Sequence, residues 1–299
     1  MSEVNVEPEV ADAIHDPTTP EGRLEILMQS ARDLPTIPKI AVHVAKLVDM
    51  PNTSASQVAT ALASDQILTA RVLRMANSAF YGAPRRISTV TDAIVLLGMR
   101  TIRNMAMAVS CFDVLDRELQ SYAMRRGDMW RHAFCVGYAA QLLAKRTKYR
   151  ATEEAFVAGL MHDIGKVVVS LNFAEDFKQV LDLAAANDLP FYIVEQQVLG
   201  FDHAEVGARI TESWKLPKHL VETIRYHHMP TKQPDWSALT AIVHVADVLC
   251  LTLGIGIGSD GLRYTLEDNV MEKLHLSKEA VEEVMILISD FVATSDMMR

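Results

Sequence analysis

Aromatic residues are scarce in this sequence, at 6% of 299 residues, whereas methionine occurs fifteen times. That balance disfavours a β-sandwich or barrel and suits packed helices, where flexible Met fills gaps. Cysteine is nearly absent: Cys111, Cys135 and Cys250 stand far apart in apolar surroundings. An odd, unclustered set excludes a disulfide framework and a Cys-based zinc site, and it points to a reducing compartment. Positive charge is also short, with 29 basic against 38 acidic side chains and a net charge of −9. A broad nucleic-acid or membrane-surface footprint needs clustered Lys and Arg, and only the short pairs Arg85-Arg86 and Arg125-Arg126 interrupt the acidic average. No run of about eighteen apolar residues occurs, since the longest candidate, 242–257, contains His244 and Asp247. The N-terminus carries Glu3, Glu7, Glu9, Asp12 and Asp16 with no base before Arg23, the reverse of a secretory signal. A soluble, cytoplasmic protein with no membrane and no direct nucleic-acid contact is expected.

What is present is apolar and periodic. Hydrophobic residues make up 49% of the chain, enough for a sizeable core. Residues 1–20, acidic and interrupted by Pro8, Pro17 and Pro20, read as a disordered leader. Helical spacing then runs almost without pause through 21–120 and again through 121–299, which we expect to be two helical subdomains of an all-α fold. Ser54 and Gln57 form a capping-box pattern. In the second half, helices are expected near 128–146, 153–169, 174–186, 190–199, 203–215, 217–228, 236–253 and 277–293. Only Val167–Val169 has strand-like chemistry, and it is too short for a sheet. Gly256-Ile257-Gly258-Ser259-Asp260-Gly261 matches a phosphate-cradling G-x-G-x-x-G, but a helix rather than a strand precedes it, so a flexible loop is expected.

Five of the ten histidines, with two aspartates, carry the chemistry. His132 is followed by His162-Asp163 with Gly165-Lys166, then His203, then His227-His228, and finally Asp247. Each lies in or at the end of a predicted helix, one helical hairpin apart, so facing helices can aim them at one interior point. Imidazole and carboxylate donors suit Mn, Fe, Ni or Zn, and no thiolate biases the set to a soft metal. Adjacent residues on a helix diverge by about 100°, so His162 can serve one ion while Asp163 bridges to a second. Two ions about 3.5–4 Å apart hold a bridging hydroxide and clamp a phosphate. Lys166, at i+4 from His162, is placed to neutralise phosphate charge. Asp163 and Lys166 are therefore the candidate catalytic residues. Asp128, one turn before His132, and His244, at i−3 from Asp247, are possible further members. His15, His43, His219 and His275 read as surface residues. In the first half, Arg71, Arg74, Asn77 and Ser78 could bind an anion or a partner helix, or bond the following loop.

The ordered set His132, His162-Asp163, His203, His227-His228 and Asp247 resembles the HD superfamily of metal-dependent phosphohydrolases. The resemblance is closer to its HDOD branch of bacterial signalling proteins. It rests on Leu34-Pro-Thr-Ile-Pro38, on the run from Asp65 through Arg71, Arg74 and Asn77-Ser78 to Phe80-Tyr81-Gly82, on Ile87 through Leu97-Gly98, and on Trp130-Arg131-His132. It covers roughly residues 27–250 and implies two packed helical bundles with a regulatory role. The 299 residues barely exceed that core, so no fused sensor, receiver or DNA-binding module is expected. Many HDOD proteins have lost the metal positions; this chain keeps them, as HD-GYP enzymes do. Yet the segment after His228 lacks Gly-Tyr-Pro. The resemblance thus leaves three readings. One is a signalling module with an intact site for two divalent ions (Fe or Mn first, Ni or Zn next) that binds signalling proteins or a small phosphorylated ligand. Another is a phosphohydrolase or phosphodiesterase acting on a nucleotide or cyclic dinucleotide. The third is a di-iron redox or oxygen sensor.

Overall fold

The structure, a computed structural model, describes residues 19–30, 39–78, 81–259 and 265–294. The expected leader up to residue 18, His15, the Leu34–Pro38 motif, Phe80, and Asp260-Gly261 lie outside the described residues. Pro20 of the expected leader instead opens the first helix, at the N-terminal turn where a missing N–H is harmless. Among the described residues every regular element is helical apart from one bridged pair, Leu119 and Met124. The all-α fold expected from the periodicity is what forms, and no described helix is long and apolar enough to cross a membrane.

The first half holds α1 (Pro20–Ser30), α2 (Lys39–Asp49), α3 (Ala55–Ala63), α4 (Gln66–Ala76), α5 (Val90–Leu97) and α6 (Met99–Leu115). Caps fix where several begin. The Ser54–Gln57 box is formed reciprocally at α3, Asp65 accepts from the Leu68 amide at α4, and Thr89 accepts from Asp92 at α5. Helix α6 is buried on most sides, because it packs on α2, α4 and α5 and also on the elements that follow. Arg71 does structural work here. Its guanidinium grips Asp113 of α6 at 2.8 and 2.9 Å and lies 5.4 Å from the centre of the Phe112 ring.

The second half holds α7 (Asp128–Arg146), α8 (Thr152–Met161), α9 (Ile164–Asn172), α10 (Asp176–Asn187), α11 (Phe191–Leu199), α12 (His203–Ser213), α13 (Lys218–Tyr226), α14 (Ala238–Thr252), the short α15 (Val270–Lys273) and α16 (Lys278–Thr294). Most expected helices match within a residue or two. One does not: the stretch 153–169 is two helices, α8 and α9, separated at His162-Asp163. Apolar periodicity runs across this break because both helices bury their residues, so the pattern carries no trace of it. Val167–Val169 lie inside α9, fully in the core. Helix α7 is the central post, flanked by α8, α14 and α16, and α9 packs on α12, which packs on α13.

Candidate metal centre

The ends of α8 and α13 are built alike. Each terminates on a histidine, His162 or His227, whose Nδ1 lies 2.7 Å from the carbonyl three residues back, Gly159 or Ile224. A ring N–H there satisfies a carbonyl that the helix end leaves without a partner. It also fixes the tautomer, so that Nε2 keeps its lone pair and is aimed inward. His132 on α7 is held the same way, with Nδ1 3.0 Å from the Ile255 carbonyl. The loop reaches it because of Gly256, at φ +66°, where a Cβ would stand 2.4 Å from the His132 Cβ. The glycine-rich segment is indeed a turn, but its described part closes against His132 instead of cradling a phosphate.

These side chains fall into two touching groups. One joins His132, His162 and Asp247; the other joins Asp163, His203, His227 and His228, and within each the donor atoms lie within 4.8 Å of one another. Asp163 faces both. Its Oδ2 is 3.6 Å from His132 Nε2 and 3.3 Å from His162 Nε2, while its Oδ1 is 3.2 Å from His203 Nε2 and 3.6 Å from His227 Nε2. Asp247 Oδ1 lies 3.1 Å from His132 Nε2 and 3.6 Å from His162 Nε2. Despite these approaches, His132 Nε2, His162 Nε2, His227 Nε2, Asp163 Oδ1 and Asp247 Oδ1 are buried without a hydrogen-bond partner. A buried polar atom left unpaired costs about 1–3 kcal/mol, so three such atoms in one group and two in the other call for something that binds them. Three aromatic nitrogens and two carboxylate oxygens are donors of a kind that could hold divalent cations.

All seven sequence-predicted positions are therefore brought together. The expected i,i+1 divergence along one helix is replaced by a sharper device, since His162 ends one helix and Asp163 precedes the next. Lys166 is buried, with Nζ 2.7 Å from Asp163 Oδ2, rather than a solvated helix-end cation. Asp128 and His244 stay outside both groups. The Asp128 carboxylate accepts from the Arg125 amide at 2.9 Å. His244 spends both ring nitrogens on backbone, Nδ1 on the His227 carbonyl at 2.8 Å and Nε2 on the Glu267 amide at 3.0 Å, and so anchors the strand of chain that carries His227-His228.

Two residues escaped sequence reasoning. Glu195 of α11 is fully buried; its Oε2 accepts from His203 Nδ1 at 2.6 Å and from the His203 amide at 2.9 Å, and its Oε1 accepts from the Tyr122 hydroxyl at 2.6 Å. Such a carboxylate orients the imidazole and raises its basicity. The signal was available: Phe191, Val194, Glu195 and Leu199 share the buried face of α11, so an acid sits in an apolar stripe. Tyr122 gave no such signal.

The carboxylates govern protonation in the absence of a cation. Burial favours neutral His162, but Asp163 and Asp247 outweigh it and raise its pKa to about 9. Burial likewise opposes charge on His203, and Glu195 with Asp163 overcomes it, to about 10. Burial prevails at His227, which falls to about 4 even beside Asp163. Asp163 resists burial through His162 and Lys166 and stays well below the usual carboxylate range.

Close backbone contact sets the frame. At Gly165, just after the His-Asp pair, an added Cβ would stand 1.9 Å from the His203 carbonyl oxygen and 2.7 Å from the Gly207 amide. Helices α9 and α12 thus touch backbone to backbone, which puts Asp163 beside His203. Gly165→Ala should push them apart and cost about 3 kcal/mol, at the upper end of ordinary overpacking. Thermal unfolding of the metal-free protein measures this, and an unchanged Tm would show that the contact is not required.

Comparison with known proteins agrees with this architecture. The profile of the HDOD domain matches residues 34–230. A crystal structure of an HDOD domain protein of unknown function from Geobacter sulfurreducens is 29% identical, with a TM-score of 0.73 over 93% of this chain and 96% of that one. A candidate phosphohydrolase from Shewanella amazonensis SB2B is 27% identical, with a TM-score of 0.63 over 88% of this chain and 97% of its own. An uncharacterized Treponema pallidum (strain Nichols) protein is 27% identical over 218 residues, 72% of this chain and 42% of that protein's length.

Proposed function

The chain belongs to the HDOD family, and from that membership we propose that it is a bacterial signal-transduction regulator built around a two-ion metal site. In this reading His132, His162 and Asp247 hold one divalent ion, and His203, His227 and His228 hold the other. Asp163, with Oδ2 toward His132 and His162 and Oδ1 toward His203 and His227, would serve both. The observation that carries the reading is the set of five buried, unpartnered donor atoms. Bound there, a pair of ions would supply Lewis acidity and a metal-activated water. All-nitrogen-and-oxygen donors favour Fe or Mn, with Ni or Zn as alternatives. Metal analysis of protein purified without a chelating tag tests the proposal: about two ions per chain are expected, and no stoichiometric metal would sink it.

Regulation through a protein partner fits the burial of the centre better than turnover or ligand binding at the ions does. Solvent touches it at His228 and Asp247, where the described residues leave an opening of about 60 Å³ lined by Pro190, Tyr192, His244 and Glu267. Ligand sites commonly measure about 300–1,000 Å³. The phosphohydrolase reading keeps one specific support, the buried Lys166 ammonium against Asp163.

Proton release distinguishes this site from adventitious binding. At pH 7 the metal-free protein carries protons on His162, with its pKa at about 9, and on His203, at about 10, and both must leave for the nitrogens to bind a cation. Raising the pH should therefore strengthen metal binding, and lowering it should weaken binding, until the histidines are already neutral. His227, lowered to about 4, adds no proton. Calorimetric titration in two buffers of different ionisation enthalpy should show at least one proton released per chain, and none released would count against these ligands.

A further inference from the structure

A second site lies apart from the histidines, beside the end of α4. It is a groove of about 1090 Å³ between α4, the chain at 83–88 and Thr294 at the end of α16. Arg74 on α4 and Arg85 and Arg86 on the following segment line it. Asn77 fastens these two pieces together. Its Nδ2 donates to the Leu73 carbonyl at 2.8 Å and the Ile87 carbonyl at 2.7 Å, and its Oδ1 accepts from the Ile87 amide at 2.7 Å. The three arginines are thus presented from a braced scaffold rather than from a wandering loop.

Their charge is little used. Arg85 reaches Asp92 at 3.6 Å with 62% of its side chain exposed. Arg74 and Arg86 are exposed and make no ion pair among the described residues. In a chain of net charge −9, three neighbouring arginines are a local excess of positive charge. Ala70, Leu73 and Ala83 add an apolar lining between them. Guanidinium groups pair bidentately with carboxylate and with phosphate, so the rest of the groove must decide. A nucleotide would profit from an aromatic face or a helix N-terminus. The described lining contains no aromatic ring, and between the arginines it offers the apolar side chains of Ala70, Leu73 and Ala83. A segment with carboxylates at intervals and apolar side chains between them fits both the rim and the lining.

We propose that this groove docks an acidic, amphipathic segment of a partner protein, with its carboxylates on Arg74, Arg85 and Arg86 and its apolar side chains on Leu73 and Ala83. The probe is a fluorescein-labelled helical peptide of about eighteen residues, five turns, with leucine on one face and glutamate on the other. Its counterpart carries lysine in place of glutamate. Fluorescence anisotropy with the full chain should show the glutamate peptide bound at least about tenfold tighter than the lysine peptide, and more weakly at high salt. The double change Arg74→Ser, Arg86→Ser should weaken binding at least about tenfold while metal content and circular dichroism stay as they are. Asn77→Ala should weaken it as well, since it frees the segment bearing Arg85 and Arg86. Absence of glutamate-peptide binding, equal binding of the lysine peptide, or full binding by the double variant would each overturn the proposal. Pyrophosphate or ATP binding tighter than the peptide with the same arginine dependence would reassign the groove to a small phosphoanion. A concentration-dependent dimer abolished by the double variant would reassign it to a second copy of the chain.

Discussion

Asp163→Ala should reduce bound metal from about two ions per chain to almost none. Asp163 is the one carboxylate whose oxygens face both donor groups, so its loss removes a contact from each position at once. Removing only an outer partner of a metal ligand typically weakens binding by about 10–100-fold, and removing a shared ligand should exceed that. Glu195→Gln provides the graded comparison: it keeps the shape of the contact to His203 Nδ1 but removes the negative charge, so a loss within that 10–100-fold range is expected. His43→Ala and His275→Ala, both at exposed positions, should leave metal content unchanged. The metal-free Asp163→Ala protein should also be less stable by about 3–5 kcal/mol, because the buried Lys166 ammonium loses its counter-charge. Full metal content in Asp163→Ala would refute the bridging role, and equal loss in all four variants would mean that the wrong histidines had been chosen. If Asp163→Ala fails to fold, Glu195→Gln still reads the site.

The periodicity of the sequence was enough to read the helices, because nearly every element buries an apolar stripe. The break between α8 and α9 was invisible for the same reason: Leu160, Met161, Ile164 and Val167 are all buried, so the stripe passes straight through the turn. Residue order identified the histidines, since His132, His162, His203 and the His227-His228 pair each mark a different helix or helix end. What order could not provide is contact across the fold. Tyr122 reaches Glu195 over 73 residues, and the Ile255 carbonyl reaches His132 over 123. Nor could it distinguish His244 from a ligand. Its spacing from Asp247 suits a shared site, but its ring is already committed to the backbone of His227 and Glu267. Gly165 was legible only as part of a motif; its reason is the 1.9 Å approach that a side chain would make to another helix. The groove at α4 was half legible. Arg74 and Arg85-Arg86 stood out as cations, and only the Asn77 brace shows that they share a surface.

The remaining prediction turns on Lys166, where the regulatory and enzymatic readings diverge. Its ammonium sits 2.7 Å from Asp163 Oδ2 and 5.6 Å from the centre of the Tyr122 ring, almost fully buried. An ammonium offers no lone pair, so Lys166→Met removes no donor. It does remove a cation that competes for Asp163, and metal should bind at least as tightly in the variant at pH 7. Without metal the balance reverses. The Asp163 carboxylate, held well below its usual range in part by Lys166, loses a counter-charge, so the metal-free variant should melt at a lower temperature than the metal-free parent. Metal should then raise Tm more in the variant than in the parent, because binding also restores the lost charge balance. Catalysis responds differently. If the centre hydrolyses phosphoesters, the ammonium stabilises charge developing on the phosphoryl oxygens, and its removal should cut turnover of bis(p-nitrophenyl) phosphate by about 10²–10³. A regulator should show no such turnover in the parent, with the metal-binding difference unchanged. Weaker metal binding by Lys166→Met would overturn the competition between ammonium and ion. Full turnover in a metal-replete variant would remove Lys166 from any catalytic role and leave the seven donors as they stand.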